Sequence, residues 1–119
     1  MGAILAFGAH PDDIEFGCGG VVASEVRRGR PVTLIVCSRG EAGSNGTPLI
    51  RVREARQAAR ELGAAIDFVD LGGDAHFTAP PAHAIKLAAI IRRVRPAVVL
   101  APTVEENQHP DHAVLGRLV

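Results

Sequence analysis

Gly2-Ala3-Ile4-Leu5-Ala6-Phe7-Gly8-Ala9-His10-Pro11-Asp12-Asp13 runs from an apolar stretch straight into a cluster of histidine and carboxylates. Residues 2–8 have the continuous apolar character of a parallel strand covered on both faces. The same pattern recurs at 32–37 (Val-Thr-Leu-Ile-Val-Cys), 66–71 (Ile-Asp-Phe-Val-Asp-Leu) and 97–101 (Ala-Val-Val-Leu-Ala), each bounded by Gly, Pro or polar residues. Helical stretches lie between them. Residues 17–28 set Val21, Val22 and Val26 against Glu25, Arg27 and Arg28, with Gly29 where a C-terminal glycine is expected. Ile50 to Leu62 puts Ala55, Ala58, Ala59 and Leu62 on one stripe, and Gly63 closes it. Pro81 to Val94 carries Ile85, Leu87, Ala88, Ile91 and Val94, opened by proline and ended before Pro96. A fourth helix begins near Pro110.

Strands alternating with helices of this length imply βαβ units with right-handed crossovers, hence a Rossmann-like parallel sheet with helices on both faces. The expected strand order is 3-2-1-4. In that order the first and fourth strands are neighbours, and ligands of open α/β sheets bind at the carboxyl ends of strands where the winding reverses. His10 follows the first strand, and His109-Pro110-Asp111-His112 follows the fourth after residues 102–108. The fold therefore brings together two His/Asp clusters from opposite ends of the chain.

Neutral imidazole and carboxylate are the ligands of hydrolytic Zn²⁺ sites, which take three protein ligands and keep one position open. In His10-Pro11-Asp12-Asp13 the i and i+3 positions share a face if the segment turns helically, so His10 and Asp13 can hold one metal. Asp12 then points elsewhere, where a general base belongs. The plainer reading makes Asp12 and Asp13 first-turn residues favoured by the helix dipole. His109 and His112 have the same spacing, so one can coordinate while the other faces a substrate. Asp111 can cap the fourth helix or orient a histidine. His76 lies in a loop and His83 on the solvated face of the third helix.

Other classes are disfavoured. Thirteen Lys and Arg balance thirteen Asp and Glu, which removes the basic excess expected of a nucleic-acid binder. Trp and Tyr are absent, so a base-stacking platform is not expected. No apolar run approaches the roughly 18 residues of a membrane span, and the start lacks a signal-like pattern. A cytoplasmic protein is the expectation. Cys18 and Cys37 form no CxxC pair and read as reduced core residues. Gly17-Cys18-Gly19-Gly20 does not complete a dinucleotide fingerprint, because Val22 stands in the place of the last glycine. The Gly-rich stretch Ser38 to Pro48 opens at the ligand-binding edge of the sheet, either as a substrate loop or as a mobile surface loop.

Taken together, Ala9-His10-Pro11-Asp12-Asp13-Ile14-Glu15-Phe16-Gly17-Cys18-Gly19-Gly20, Ser38-Arg39-Gly40-Glu41-Ala42-Gly43, Arg51-x-x-Glu54-Ala55, Leu62-Gly63 and His109-Pro110-Asp111-His112 resemble the PIG-L or LmbE-like family of zinc-dependent de-N-acetylases. The resemblance implies hydrolysis of the acetamide of an N-acetylglucosamine-type amino sugar. It implies that His10, Asp13 and His112 bind Zn²⁺, or another divalent ion, and that Asp12 is the general base. It further implies that His109, held by Asp111, stabilises the tetrahedral intermediate or protonates the leaving amine. Arg51 and Asp74 match substrate-contacting positions, Asp74 more loosely. Gln108 departs from the arginine that many members carry there. Members are about twice this length, so residues 1–119 resemble a single catalytic domain equivalent to the amino-terminal half of the family fold. The rival reading is a metal-binding Rossmann-like fragment or scaffold without turnover. An uncovered edge at the fourth strand also leads us to expect a homo-oligomer.

Overall fold

Alternation of strand-like and helix-like segments yields β1 (Ile4–Gly8), α1 (Asp13–Arg27), β2 (Val32–Val36), α2 (Pro48–Leu62), β3 (Ala65–Phe68), α3 (Pro81–Val94), β4 (Val98–Leu100) and α4 (Pro110–Leu118). A computed structural model describes residues 2–11, 13–38, 47–71, 81–102 and 110–119. The four strands form one parallel sheet in the order β3-β2-β1-β4, as expected. β1 is central, with Ile4 to Gly8 registered on Val32 to Val36, and Ile4 to Ala6 on Val98 to Leu100.

The period-two alternation of β1 splits the core. Leu5 and Phe7 face one side and join Ile35, Cys37, Leu71, Leu87, Ile90 and Leu115, so α3 and α4 cover that face. Ile4 and Ala6 face the other and join Val32, Leu34, Val36, Ile14, Val22 and Ala59, beneath α1 and α2. Each fully buried Leu, Ile or Val on these faces contributes about 1.5–3 kcal/mol over an exposed one. Both cysteines are free, and Cys37 is buried in the first of these clusters, where burial pushes its thiol up to about 12. Among the described residues no helix is long and apolar enough to cross a membrane.

Several boundaries differ from the sequence-based expectation. α1 starts at Asp13 rather than residue 17, because the Asp13 N–H closes a turn on the His10 carbonyl (3.2 Å) and Asp13 and Glu15 sit in the dipole-favoured first turn. The Gly-rich stretch instead holds a kink at Cys18 (φ −149°, ψ 22°). β3 stops at Phe68 because its ladder partner β2 ends at Val36, although the Val69 N–H still reaches the Val36 carbonyl (2.9 Å). Val21 and Ile85, expected on inward stripes, are 52% and 67% exposed. Ile85 lies two residues before Leu87, about 200° around the helix, and Ile90 takes the core position instead. Val21 flanks the Cys18–Val22–Val26 face. Residues 39–46 of the expected Ser38–Pro48 loop and residues 103–108 of the expected short loop after the fourth strand lie outside the described residues.

β4 is an edge of the described sheet, with Val98 and Val99 40% and 39% exposed. α3 ends at Val94, and Arg95 just after it takes the left-handed conformation (φ 52°) where glycine is usual. α2 has the more favourable ends. The Thr47 hydroxyl accepts from the Ile50 N–H (3.2 Å), and Gly63 closes the helix at φ 79° with its N–H on the Ala59 and Arg60 carbonyls. A Cβ at Gly63 would come within 2.8 Å of Val26 Cγ1. Gly63→Ala should therefore lower stability by at least about 1 kcal/mol, from the left-handed backbone and the contact with Val26 together. Urea unfolding with an unchanged midpoint would contradict this.

Candidate metal centre

The end of β1 delivers His10, and the turn that follows delivers Asp13. Gly8, the last residue of β1, lies against α1, since a Cβ there would sit 2.8 Å from Ile14 Cγ1. The Ser38 hydroxyl donates to the Ala9 carbonyl (2.9 Å), and the Cys37 N–H donates to the Gly8 carbonyl (2.9 Å). These two bonds tie the end of β2 to the backbone just before His10. The sequence marks Ser38 only as the start of a loop; its burial and bond show that it also braces the β1 turn.

Asp13 Oδ2 is the point on which the site converges. It accepts from the backbone N–H of His10 (2.9 Å), and it lies 3.3 Å from His10 Nδ1 and 2.9 Å from His112 Nε2. The rings of His10 and His112 are 5.5 Å apart between centroids, tilted by 48°. One ligand atom from each of His10, Asp13 and His112 lies within 4.8 Å of the others. Donors held about 2.0–2.2 Å from a tetrahedral zinc are roughly 3.3 Å apart, so this donor set fits a small divalent cation with little movement. Asp111, in the first turn of α4, is buried, and its Oδ2 lies 2.9 Å from His10 Nε2.

Burial pulls the Asp13 carboxyl upward, but the hydrogen bonds from the His10 ring and backbone and the nearby His112 and His10 charges together outweigh it. The carboxyl is therefore held below its ordinary value of 3.8. Of the other residues named from the sequence, Arg51 is half-buried in the first turn of α2. His83 is half-buried on α3 rather than on its solvated face. Asp12, His109, Asp74 and His76 lie outside the described residues.

The sequence profile of the PIG-L family, described as GlcNAc-PI de-N-acetylase, matches residues 5–119. The chain is 33% identical over 151 aligned residues to 1D-myo-inositol 2-acetamido-2-deoxy-α-D-glucopyranoside deacetylase of Acidothermus cellulolyticus, covering 98% of this chain and 51% of that protein. Among solved structures, the conserved protein TT1542 of Thermus thermophilus superposes with a TM-score of 0.90 at 39% identity, over 99% of this chain and 53% of that one. The 4-carboxy-2-hydroxymuconate hydratase of Pseudomonas putida KT2440 superposes with a TM-score of 0.88 at 29% identity, over 99% of this chain and 54% of that one. The chain thus spans about half the length of these proteins.

The environment of Asp13 sets a pH dependence for the metal-free protein. Its folded carboxyl is held down, so its contribution to stability is present above the unfolded value of about 4 and is lost as pH falls through the folded value. Asp13→Asn should be less stable than the parent near neutral pH, with the gap closing in acid. Urea midpoints measured across the acid range would show a pH-independent gap if Asp13 were not held in this way.

Proposed function

The chain belongs to the PIG-L (GlcNAc-PI de-N-acetylase) family, and from that premise we propose that it serves a metal-dependent hydrolase removing the acetyl group from an N-acetylglucosamine-type amino sugar. The observation that carries this reading is the convergence of His10, Asp13 and His112 at one corner of the sheet, in a chain matched by this family along nearly its whole length. The metal taken is Zn²⁺, which suits two imidazoles and a carboxylate.

His10, Asp13 and His112 would hold the cation. When bound, it supplies Lewis acidity to an amide carbonyl and lowers the pKa of water toward about 7. Asp12 takes the proton from the water as its oxygen bonds to the acetyl carbon. The carbon–nitrogen bond then breaks, with His109 protonating the departing nitrogen, so the products are acetate and a free amine. Asp111 supports the histidines, and Arg51 and Asp74 bind the sugar. The β4 edge with Val98 and Val99 is the seam through which the protein would self-associate, and its place of action is the cytoplasm.

A second reading rests on the similarity to the P. putida hydratase, whose scaffold superposes almost as well: water adds to a carbon–carbon double bond instead of an amide. Metal analysis combined with acetate release from several N-acetylglucosamine derivatives separates the two. We expect zinc in the parent, its loss in His10→Ala, Asp13→Ala and His112→Ala, and acetate from at least one derivative. Asp12→Asn should keep zinc and lower kcat by about 10²–10⁴. A zinc-loaded protein that releases no acetate but hydrates an unsaturated acid would establish the second reading, and full turnover in Asp12→Asn would remove the general-base role.

A further inference from the structure

Asp111 is a buried carboxylate, 3% exposed, in the first turn of α4. An aspartate at that point of a helix needs no partner beyond the helix's own N–H groups. Here, however, its Oδ2 lies 2.9 Å from Nε2 of His10, a residue of the β1 turn 101 positions earlier in the chain. His10 is itself only 12% exposed at the side chain, so the contact is largely shielded from water. An ionised carboxylate can only accept, so the ring nitrogen must donate. The other ring nitrogen, Nδ1, faces Asp13 Oδ2 at the longer distance of 3.3 Å, so a doubly protonated ring donates to both carboxylates, and a neutral ring keeps its one proton on the nearer, Asp111 side.

We propose that Asp111 is the positioning residue of the centre: by accepting the Nε2–H of His10 it selects one tautomer and one ring orientation, leaving the Nδ1 lone pair directed toward Asp13 and His112. This rests on the reading of His10, Asp13 and His112 as ligands, and it gives Asp111 a role on a ligand histidine. A carboxylate behind a ligand imidazole fixes its orientation and raises its basicity, and its removal typically lowers metal affinity by 10–100-fold. The same bond joins the first turn of α4 to the turn after β1, so His112 and His10 are held in register by the residue beside one of them.

The test uses ¹⁵N-labelled, metal-free protein and two-bond ¹H–¹⁵N correlation spectra recorded above the titration range of His10, assigned by comparison with His10→Gln. The neutral His10 ring of the parent should be the Nε2–H tautomer. Asp111→Ala should lose that selection and bind zinc 10–100-fold more weakly in competition with a chromophoric chelator. Asp111→Asn, which keeps an acceptor oxygen, should recover part of both. An Nδ1–H ring in the parent overturns the inference without recourse to any variant, as does unchanged zinc affinity in a folded Asp111→Ala protein. The parent's zinc titration judges the ligand reading separately. Zinc binding with an Nδ1–H ring leaves the metal centre standing and removes the role of Asp111, whereas an Nε2–H ring in a protein that takes up no zinc removes the metal centre and leaves the positioning bond.

Discussion

Parallel pairing of β1 with β4 is the constraint on which the rest of this structure depends. Ile4 to Ala6 register against Val98 to Leu100, segments nearly a hundred residues apart, and every contact between the two His/Asp clusters follows from that adjacency. A parallel neighbour cannot be reached by a tight turn. The chain therefore winds outward through β2 and β3 and returns across the sheet by α3, placing β1 between strands that precede and follow the reversal. The carboxyl end of β1 then becomes a notch, walled by the turn into α1 on one side and by the start of α4 on the other.

Burial makes that notch chemically demanding. β1 is covered on both faces, by Leu5 and Phe7 against α3 and α4 and by Ile4 and Ala6 against α1 and α2. Polar groups at its end must therefore find partners within the protein. The backbone groups do so through Ser38 and Cys37 at the end of β2. The side chains do so through one another: Asp13 collects the His10 N–H and faces both imidazoles, and Asp111 faces the far side of His10. With both imidazoles neutral, two carboxylates and two imidazoles arranged this way concentrate negative charge and nitrogen lone pairs at one corner, as a cation site requires.

The edges of the fold show where packing is less demanding. β4 has three residues and partly exposed valines, and α3 is followed by an arginine forced into the left-handed region. α2, by contrast, has a threonine N-cap, a proline in its first turn and a glycine C-cap. The carboxyl end of that helix, at Leu62 and Gly63, was legible in the sequence, whereas its start lies two residues before the expected Ile50, at Pro48 behind the Thr47 cap.

Local chemistry in the sequence determined the strand and helix alternation, the 3-2-1-4 order and the two His/Asp clusters, since apolar periodicity, helix-end residues and the handedness of βαβ units are short-range or topological rules. The i, i+3 spacing of His10 and Asp13 was likewise enough to place both on one turn. It could not reveal that Asp111 touches His10, because that contact depends on the angle at which α4 meets the β1 turn, a matter of long-range packing. Nor could it show that Ser38 braces the Ala9 carbonyl, that α1 begins at Asp13 and bends at Cys18, or that Val21 and Ile85 face outward. Each of these depends on how a helix is rotated against the sheet, and that rotation is decided by the summed contacts of the two cores rather than by the residues of any one segment.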